Sequence, residues 1–429
     1  MNQASIQNDS SGKKVVIVGA GIVGVSTAVW LQRRGFEVTL VDRLGPAEGT
    51  SYGNGGILAS SAIVPVTVPG LLTKVPGMLL DRNSPLFLRW SYLPKLLPFL
   101  RHYLSHCTPG ETRRIAAALN EIIGDSLEQH QALAAGTGAE KWLVPSDYLF
   151  LYDKRSNFEA DSFGWGIRKA NGFSWRELEG KAFKDYDPVF ADDLTFATCL
   201  PDHGRIADPG RYVKGLAAHV ERNGGRSMKA DVSDFRQENG RVTGVVTDQG
   251  VVDCDAAVVT AGVWSGPLAK KLGMKVPLES ERGYHVELIE PNIMPRSPVM
   301  IASGKFVVTP MDGRLRVAGL VEFGGLKAPP SRRPIELLLE GISKAIPGLT
   351  WKDTREWMGH RPAISDSIPV IGEVPGLKSV FTGFGHHHIG LTGGPKTGRI
   401  IAGLISGDTP NSDLEAYAPV RFTSARSGI

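Results

Sequence analysis

The sequence predicts an α/β chain: a discontinuous Rossmann-like domain with an inserted α+β domain built on a mixed or antiparallel sheet. Three observations predict it. The stretch VVIVGAGIVGVSTAVWLQRRGFEVTLVD, Val15 to Asp42, reads as strand, glycine turn, helix and a second strand ending in an acid. Far along the chain a buried-type strand, Ala256 to Thr260, ends in Ala261-Gly262, and later still the glycine-rich run Gly383 to Gly394 enters a C-terminal helix from Pro395 to Ile405. Between these blocks the chain changes texture, which places a second domain inside the first.

Residues 1–13 are polar and lack an apolar core of the secretory type, so they read as a flexible tail. Val15 to Val18 is short and β-branched, as suits a buried parallel strand. In the turn from Gly19 through Ala20, Gly21, Ile22 and Val23 to Gly24, the first glycine allows the tight turn, the second lets the backbone approach a pyrophosphate and the third lets helix pack on strand. The helix N-terminus then offers N–H groups and partial positive charge to phosphates. Glu37 to Val41 alternates as a second strand and delivers Asp42 about twenty residues past the glycines, where an acid accepts the hydroxyls of an unphosphorylated ribose. A dinucleotide is implied; the glycines alone do not separate FAD from NAD.

From Pro85 to Pro201 the composition is mostly helical, Glu111 to Ala135 being the longest periodic stretch. Within it Leu86 to Leu104 is aromatic and basic, and Pro94 and Pro98 are expected to interrupt any long helix. Its first reading is a core-facing segment of the inserted domain; its second is a peripheral contact with a membrane or a quinone-bearing partner. Asp208-Pro209 opens a helix that runs to Arg222 and stops at Asn223-Gly224-Gly225. Ala230 to Phe235, Val242 to Thr247 and Val251 to Asp253 form a small antiparallel meander. Tyr284 to Ile289, Phe306 to Pro310 and Leu315 to Val321 read as strands, the last two joined at Asp312-Gly313. The nucleotide domain is therefore assigned to 14–84, 202–278 and 355–420, and the substrate domain to 85–201 and 279–354.

With 429 residues, 42% of them hydrophobic, the chain is long enough for two domains. A net charge of +4 without basic runs gives nucleic-acid binding no support. Cys107, Cys199 and Cys254 are scattered and form no C-x-x-C pair, so neither a disulfide framework nor a metal site is expected. A reducing, cytoplasmic setting fits, with the inner membrane face as the peripheral alternative, and no apolar run reaches bilayer length.

The last third carries Gly359-His360-Arg361-Pro362, then SDSIPVIG from Ser365 to Gly372, and GFGHHHIGLTGG from Gly383 to Gly394. Together with VVIVGAGIVGVSTA, GTSYGNGGIL from Gly49 to Leu58, VVTAGVWS and RGYHVEL from Arg282 to Leu288, these segments resemble the FAD-dependent D-amino-acid oxidase superfamily, glycine and sarcosine oxidases included, and within it the bacterial D-amino-acid dehydrogenases. The likeness spans the chain after its tail and is specific for the superfamily, much less so for the substrate.

The resemblance implies that Gly19, Ala20, Gly21, Ile22, Val23 and Gly24, with Asp42 and Arg43, hold the ADP half of FAD. Thr50, Ser51, Asn54, Gly55 and Gly56 would line the flavin and pyrophosphate, and Val232 would offer backbone groups to the adenine. Ala261, Gly262 and Trp264 would pass beneath the cofactor. Gly390, Leu391 and Thr392 would aim N–H groups at the flavin N1–C2 carbonyl, where negative charge accumulates on reduction. No cysteine lies near the ISDSIP segment, so the FAD is expected to be non-covalent.

Arg361 matches the arginine that grips a substrate carboxylate, a planar fork suited to two oxygens; the competing reading is a structural ion pair with Asp366. Tyr284 gives a hydroxyl to that carboxylate or lines the pocket, or else is an ordinary sheet aromatic. His386 and His388 either contact flavin or substrate amine and titrate near neutrality, or shape the loop, while His387 points away from whatever its neighbours face. The implied reaction is oxidative deamination of a D-amino acid, or a related imino or N-substituted amino acid, to a 2-oxo acid by hydride transfer to flavin N5, with no dedicated general base required. Electrons would pass to a quinone or another acceptor, a partner protein included. The alternatives are a glycine or sarcosine type amine oxidase using dioxygen, a flavin subunit of a multi-subunit dehydrogenase and, least favoured, a non-catalytic flavoprotein.

Overall fold

In a computed structural model, residues 12–81, 84–411 and 413–422 are described. The expected tail thus lies outside the described residues apart from Gly12 and Lys13.

A six-stranded sheet runs in the order Val370–Glu373, Val380–Phe384, Ala256–Val259, Lys14–Val18, Glu37–Asp42, Arg226–Lys229. All its pairings are parallel except the one between Val370–Glu373 and Val380–Phe384. Val15 to Val18 are buried on both faces, as a β-branched run between helices demands. Helix Ile22–Gln32 packs against the C-terminal helix Gly390–Ile405 on one side of this sheet. The meander forms as Val232–Glu238, Arg241–Thr247 and Gly250–Asp253.

The larger sheet has the order Asp353–Ile364, Leu278–Ile289, Arg314–Phe323, Phe306–Met311, Val299–Ile301, Leu143–Tyr152, Phe196–Ile206, Ile57–Leu58. It is antiparallel except where Val299–Ile301 meets Leu143–Tyr152 and where Leu86–Leu88 joins Arg314–Phe323. Helix Arg333–Ala345 covers one of its faces, burying Ile335, Leu338 and Ile342 in a core shared with Val286, Leu288, Val317 and Leu315. Among the described residues no helix is long and apolar enough to cross a membrane.

Five expectations are corrected. The segment 85–201 carries six α-helices but is not helical throughout: strands Leu143–Tyr152 and Phe196–Ile206 form the middle of the larger sheet. Pro201 and Asp202 hid the second strand, because they sit in an irregularity of the pairing opposite Asp147, with Asp202 at φ 59°. The long periodic stretch splits at Gly124-Asp125 into Pro109–Ile123 and Ser126–Ala134, the Asp125 carboxylate being taken by Lys396 at 3.0 Å and by Gln129. Pro98 does not interrupt its helix but lies inside Leu93–Ser105, where burial of Leu96, Phe99 and Tyr103 against Phe323 and Ala363 offsets the lost hydrogen bond. The C-terminal helix begins at Gly390, with Pro395 inside it. Strand Asp353–Ile364 pairs along its whole length with Leu278–Ile289, so the chain re-enters the nucleotide part after Ile364, not at 355.

Candidate active site

A cavity of about 1010 Å³ runs between the two large sheets, at the upper end of the roughly 300–1,000 Å³ usual for ligand sites. One end is lined by Gly19, Gly21, Ile22, Val23, Asp42, Arg43, Thr50, Ser51, Asn54, Gly55, Val232, Ala261, Gly262 and Trp264. The other end is lined by Arg361, the three histidines, and Gly390, Leu391 and Thr392. Ala20, Gly24 and Gly56 stand behind this wall.

The first end fits an extended dinucleotide. Gly19, at φ 104°, sits so close to the next strand that an added Cβ would lie 2.6 Å from the Thr260 carbonyl oxygen, and one on Gly24 would lie 1.9 Å from that of Gly19. These two contacts let helix Ile22–Gln32 start against the strand end with its N-terminus toward the cavity. Ser51 Oγ accepts the first N–H of that helix, from Ile22, at 2.9 Å. Asp42 spends one carboxylate oxygen on the Ala20 N–H (2.9 Å) and the other on Leu44 (2.8 Å) and Gly45 (3.1 Å), which fixes the acid at the strand end with acceptor capacity left for a ribose. The Arg43 guanidinium lies 3.8 Å over the Trp264 ring, so the two wall the cavity as a unit. None of the three cysteines lines the cavity.

The loop Tyr52–Asn54 is held from the larger sheet. Arg316, fully buried and paired with Glu287 at 2.5 Å, donates to the carbonyls of Tyr52 (2.9 Å) and Asn54 (2.5 Å). His285 Nδ1 donates to Gly53 at 3.0 Å, and its ring stacks on Trp357 at 5.0 Å. Burial, then the charge of Arg316, pushes His285 down to about 3, so it stays neutral. At the opposite wall Pro395 leaves the Leu391 carbonyl without its helical N–H. His130 Nε2 donates to that carbonyl at 2.8 Å and its Nδ1 accepts from the Tyr212 hydroxyl at 2.9 Å. This fixes the turn Gly390–Thr392, which lines the cavity.

Arg361 lies at the inner end. Its guanidinium donates to the carbonyls of Leu320 (2.9 Å) and Gly319 (3.3 Å) and, among the described residues, meets no carboxylate within 4 Å. Asp366, the alternative partner, pairs with Arg421 at 2.9 Å. Burial lowers the Arg361 pKa against the opposing pull of Glu281.

Tyr284 lines the same cavity as Arg361 but stands on the opposite face of its strand pair. Cross-strand partners point to the same face of a sheet, and Arg361 is opposite Glu281 while Tyr284 is opposite Met358, an odd number of residues along, hence on the other face. Its hydroxyl donates to Glu322 at 2.5 Å and accepts from the Ser331 N–H at 2.9 Å. Glu322 is held in turn by the fully buried Arg282 at 2.8 Å.

The histidines divide. His386 is buried, with Nε2 2.9 Å from Thr397 Oγ1, and burial, then the charge of His387, pushes it down to about 3. His387, at φ 47°, turns its Nε2 onto the backbone of Ile364, 2.8 Å from N and 2.9 Å from O. His388 lines the cavity and is the exposed one of the three; desolvation, then the charges of His387 and Arg361, pushes it down to about 3. Sequence reasoning missed Glu281, His285, Glu287, Arg316, Trp357 and the His130–Tyr212 pair. For Glu281, His285 and Glu287 the signal was present: charged or titratable residues at alternate positions on one face of a strand otherwise read as core.

A family model described as FAD-dependent oxidoreductase, DAO, matches residues 14–404. The chain is 38% identical over 419 residues to a D-amino-acid oxidase of Bradyrhizobium diazoefficiens, covering 96% of this chain and 99% of that one. It is 30% identical over 422 residues to a D-amino acid dehydrogenase of Rhizobium rhizogenes, covering 95% of this chain and all (100%) of that one. Among solved structures, glycine oxidase from Geobacillus kaustophilus shares the fold with a TM-score of 0.73 at 20% identity, over 95% of this chain and 99% of that one.

Proposed function

The chain belongs to the DAO family of FAD-dependent oxidoreductases, and from that premise we propose that it oxidises D-amino acids to 2-oxo acids. One observation carries the reading: the cavity that begins at the dinucleotide cradle of Gly19 and Asp42 ends on an arginine anchored by two carbonyls and, among the described residues, paired with no carboxylate.

FAD, when bound, supplies the two-electron acceptor for the α-carbon of the amine. The chain's own residues do the rest. Arg361 binds the substrate carboxylate as a two-pronged ion pair, which fixes the α-carbon at one depth in the cavity. Leu320 and Gly319 hold the guanidinium in place, so little ordering remains at the moment of binding. The first turn of helix Gly390–Ile405, pinned by His130 and Ser126, would offer its N–H groups to the cofactor's negative charge when FAD is bound. The apolar remainder of the wall, Leu320, Val307, Met300 and Phe150 among it, keeps water from the reacting centre. The imino acid formed hydrolyses to the 2-oxo acid.

Electrons leave to a quinone or another acceptor, a partner protein included; the name of the Bradyrhizobium relative supports dioxygen as the second reading. Exposed Trp90 and Leu97, on the aromatic segment near the cavity mouth, are where a peripheral membrane or protein contact would be made. The test is anaerobic flavin absorbance across D-, L- and N-methyl amino acids, repeated in air with a peroxide assay. Bleaching by D-amino acids is expected; bleaching only by L- or N-methyl substrates overturns the substrate class, and peroxide formation assigns dioxygen.

A further inference from the structure

Arg361 does not face the substrate end of the cavity alone. Its cross-strand partner in the register of Asp353–Ile364 with Leu278–Ile289 is Glu281, and directly opposed residues on one face have Cβ atoms about 4.5–5.5 Å apart. Glu281 is 3% exposed and lines the cavity. A carboxylate so enclosed is expected to be hydrogen-bonded or paired, yet among the described residues it accepts no hydrogen bond, and the one basic nitrogen within 4 Å is His387 Nδ1, at 4.0 Å. Glu279, two residues earlier on the same face, is by contrast bound by the Tyr92 hydroxyl at 3.0 Å. From the helix packed above the strand, the Tyr103 hydroxyl is buried without a partner and feels the charge of Glu281. The groups that face Glu281 are therefore Arg361 and His387 from the neighbouring elements, Tyr103 from Leu93–Ser105 and Glu279 on its own strand; among the described residues none hydrogen-bonds its oxygens, His387 standing off at 4.0 Å.

A zwitterion with its carboxylate on Arg361 places its ammonium a few ångströms away, on the side where the neighbouring strand presents Glu281. We infer that Glu281 receives the α-ammonium of the substrate and takes one proton from it, so that the amine reaches the reacting geometry neutral. This rests on the proposed amino-acid reading. The step balances: one N–H bond of the ammonium breaks, the carboxylate gains that proton, and the nitrogen keeps the electron pair from which the C–N double bond forms as the α-carbon is oxidised. It replaces the base-free route implied by the resemblance with an acceptor built into the strand.

The test uses holoenzyme and Glu281→Gln, with Glu281→Asp as a second variant, each first checked for full FAD content. In wild type, the rate of flavin bleaching by a D-amino acid at low concentration changes little between pH 7 and 9. In Glu281→Gln only substrate already neutral reacts, so the rate falls about 10²-fold at pH 7 and climbs about ten-fold per pH unit toward the substrate's own amine pKa; Glu281→Asp restores part of the level profile. Calorimetry provides a readout without turnover: 2-aminoisobutyrate, a zwitterion with no α-hydrogen, binds wild type about ten-fold more tightly than the isosteric trimethylacetate, and the variant loses that preference. An unchanged pH profile and an unchanged preference in Glu281→Gln overturn the inference while leaving the amino-acid reading standing. If no D-amino acid bleaches wild type, the amino-acid reading itself fails.

Discussion

Leu320 holds Arg361 through a strained backbone. The carbonyl of Leu320 accepts from the Arg361 guanidinium at 2.9 Å, and Leu320 sits at φ 58° where the pairing of Leu278–Ile289 with Arg314–Phe323 slips by a residue opposite Gly283. A left-handed conformation costs an L-residue roughly 1–2 kcal/mol, and such strain persists where surroundings over-determine it. Here the Leu320 side chain is buried in the sheet core, so the irregularity is locked and two successive carbonyls turn toward the arginine.

Gly283 completes that seat. A Cβ added there would lie 2.5 Å from Arg361 Cζ and Nη2. Gly283→Ala is expected to displace the guanidinium and lower kcat/KM for the amino acid about 10²-fold, with FAD content and Tm close to wild type. Equal losses of FAD and activity would show the glycine to be a folding requirement only.

Tyr284 is predicted to matter for stability and not for the carboxylate. Tyr284→Phe removes the hydrogen bonds with Glu322 and Ser331 and costs about 1–3 kcal/mol in urea unfolding, while KM stays at the wild-type value. A large rise in KM with stability intact would return Tyr284 to the substrate.

The nucleotide cradle depends on close packing behind its wall. Gly24→Val drives a side chain into the Gly19 carbonyl oxygen, 1.9 Å from where its Cβ would stand. Separation of helix from strand should cost about 1–3 kcal/mol and release FAD during gel filtration, read from the absorbance of the protein peak. Full retention of FAD would contradict the placement of the cofactor against this turn.

Acid should destabilise the protein through its buried histidines. His130 is held neutral down to about 4 by burial, despite the Leu391 carbonyl, and His285 and His386 down to about 3. The unfolded chain takes up these protons below about pH 6.5. Depressed folded values mean that stability is fully present above that pH and is lost as pH falls toward 4 and then 3, by up to about 1.4 kcal/mol per pH unit for each residue. Urea unfolding at pH 7.5, 6.0 and 5.0 should give a falling free energy; a level curve contradicts the buried neutral state.

The nucleotide half was legible because its ligand constrains consecutive residues. Gly19, Gly21, Gly24 and Asp42 must occur at fixed spacing for one turn to work, and strand Ala256–Val259 carries the same apolar signature. The substrate half was less legible because its groups meet across strands. Nothing near Arg361 in the chain announces Glu281, Leu320 or Gly283, which only register brings together. Strand Phe196–Ile206 was hidden by the proline of its own irregularity. Tyr284 shows the same limit: its place beside the RG pair suggested the site, but one step along a strand turns a side chain to the other face.

The central claim is that a D-amino acid enters with its carboxylate on Arg361. Anaerobic stopped-flow reduction of the bound flavin by a D-amino acid, in wild type and in FAD-replete Arg361→Ala, tests it most directly. A loss of about 10²- to 10³-fold in the second-order rate of reduction is expected, as for removal of one partner of a desolvated charge pair, with reduction by a simple amine lacking a carboxylate left unchanged. Equal rates for the amino acid in the two proteins would contradict the claim.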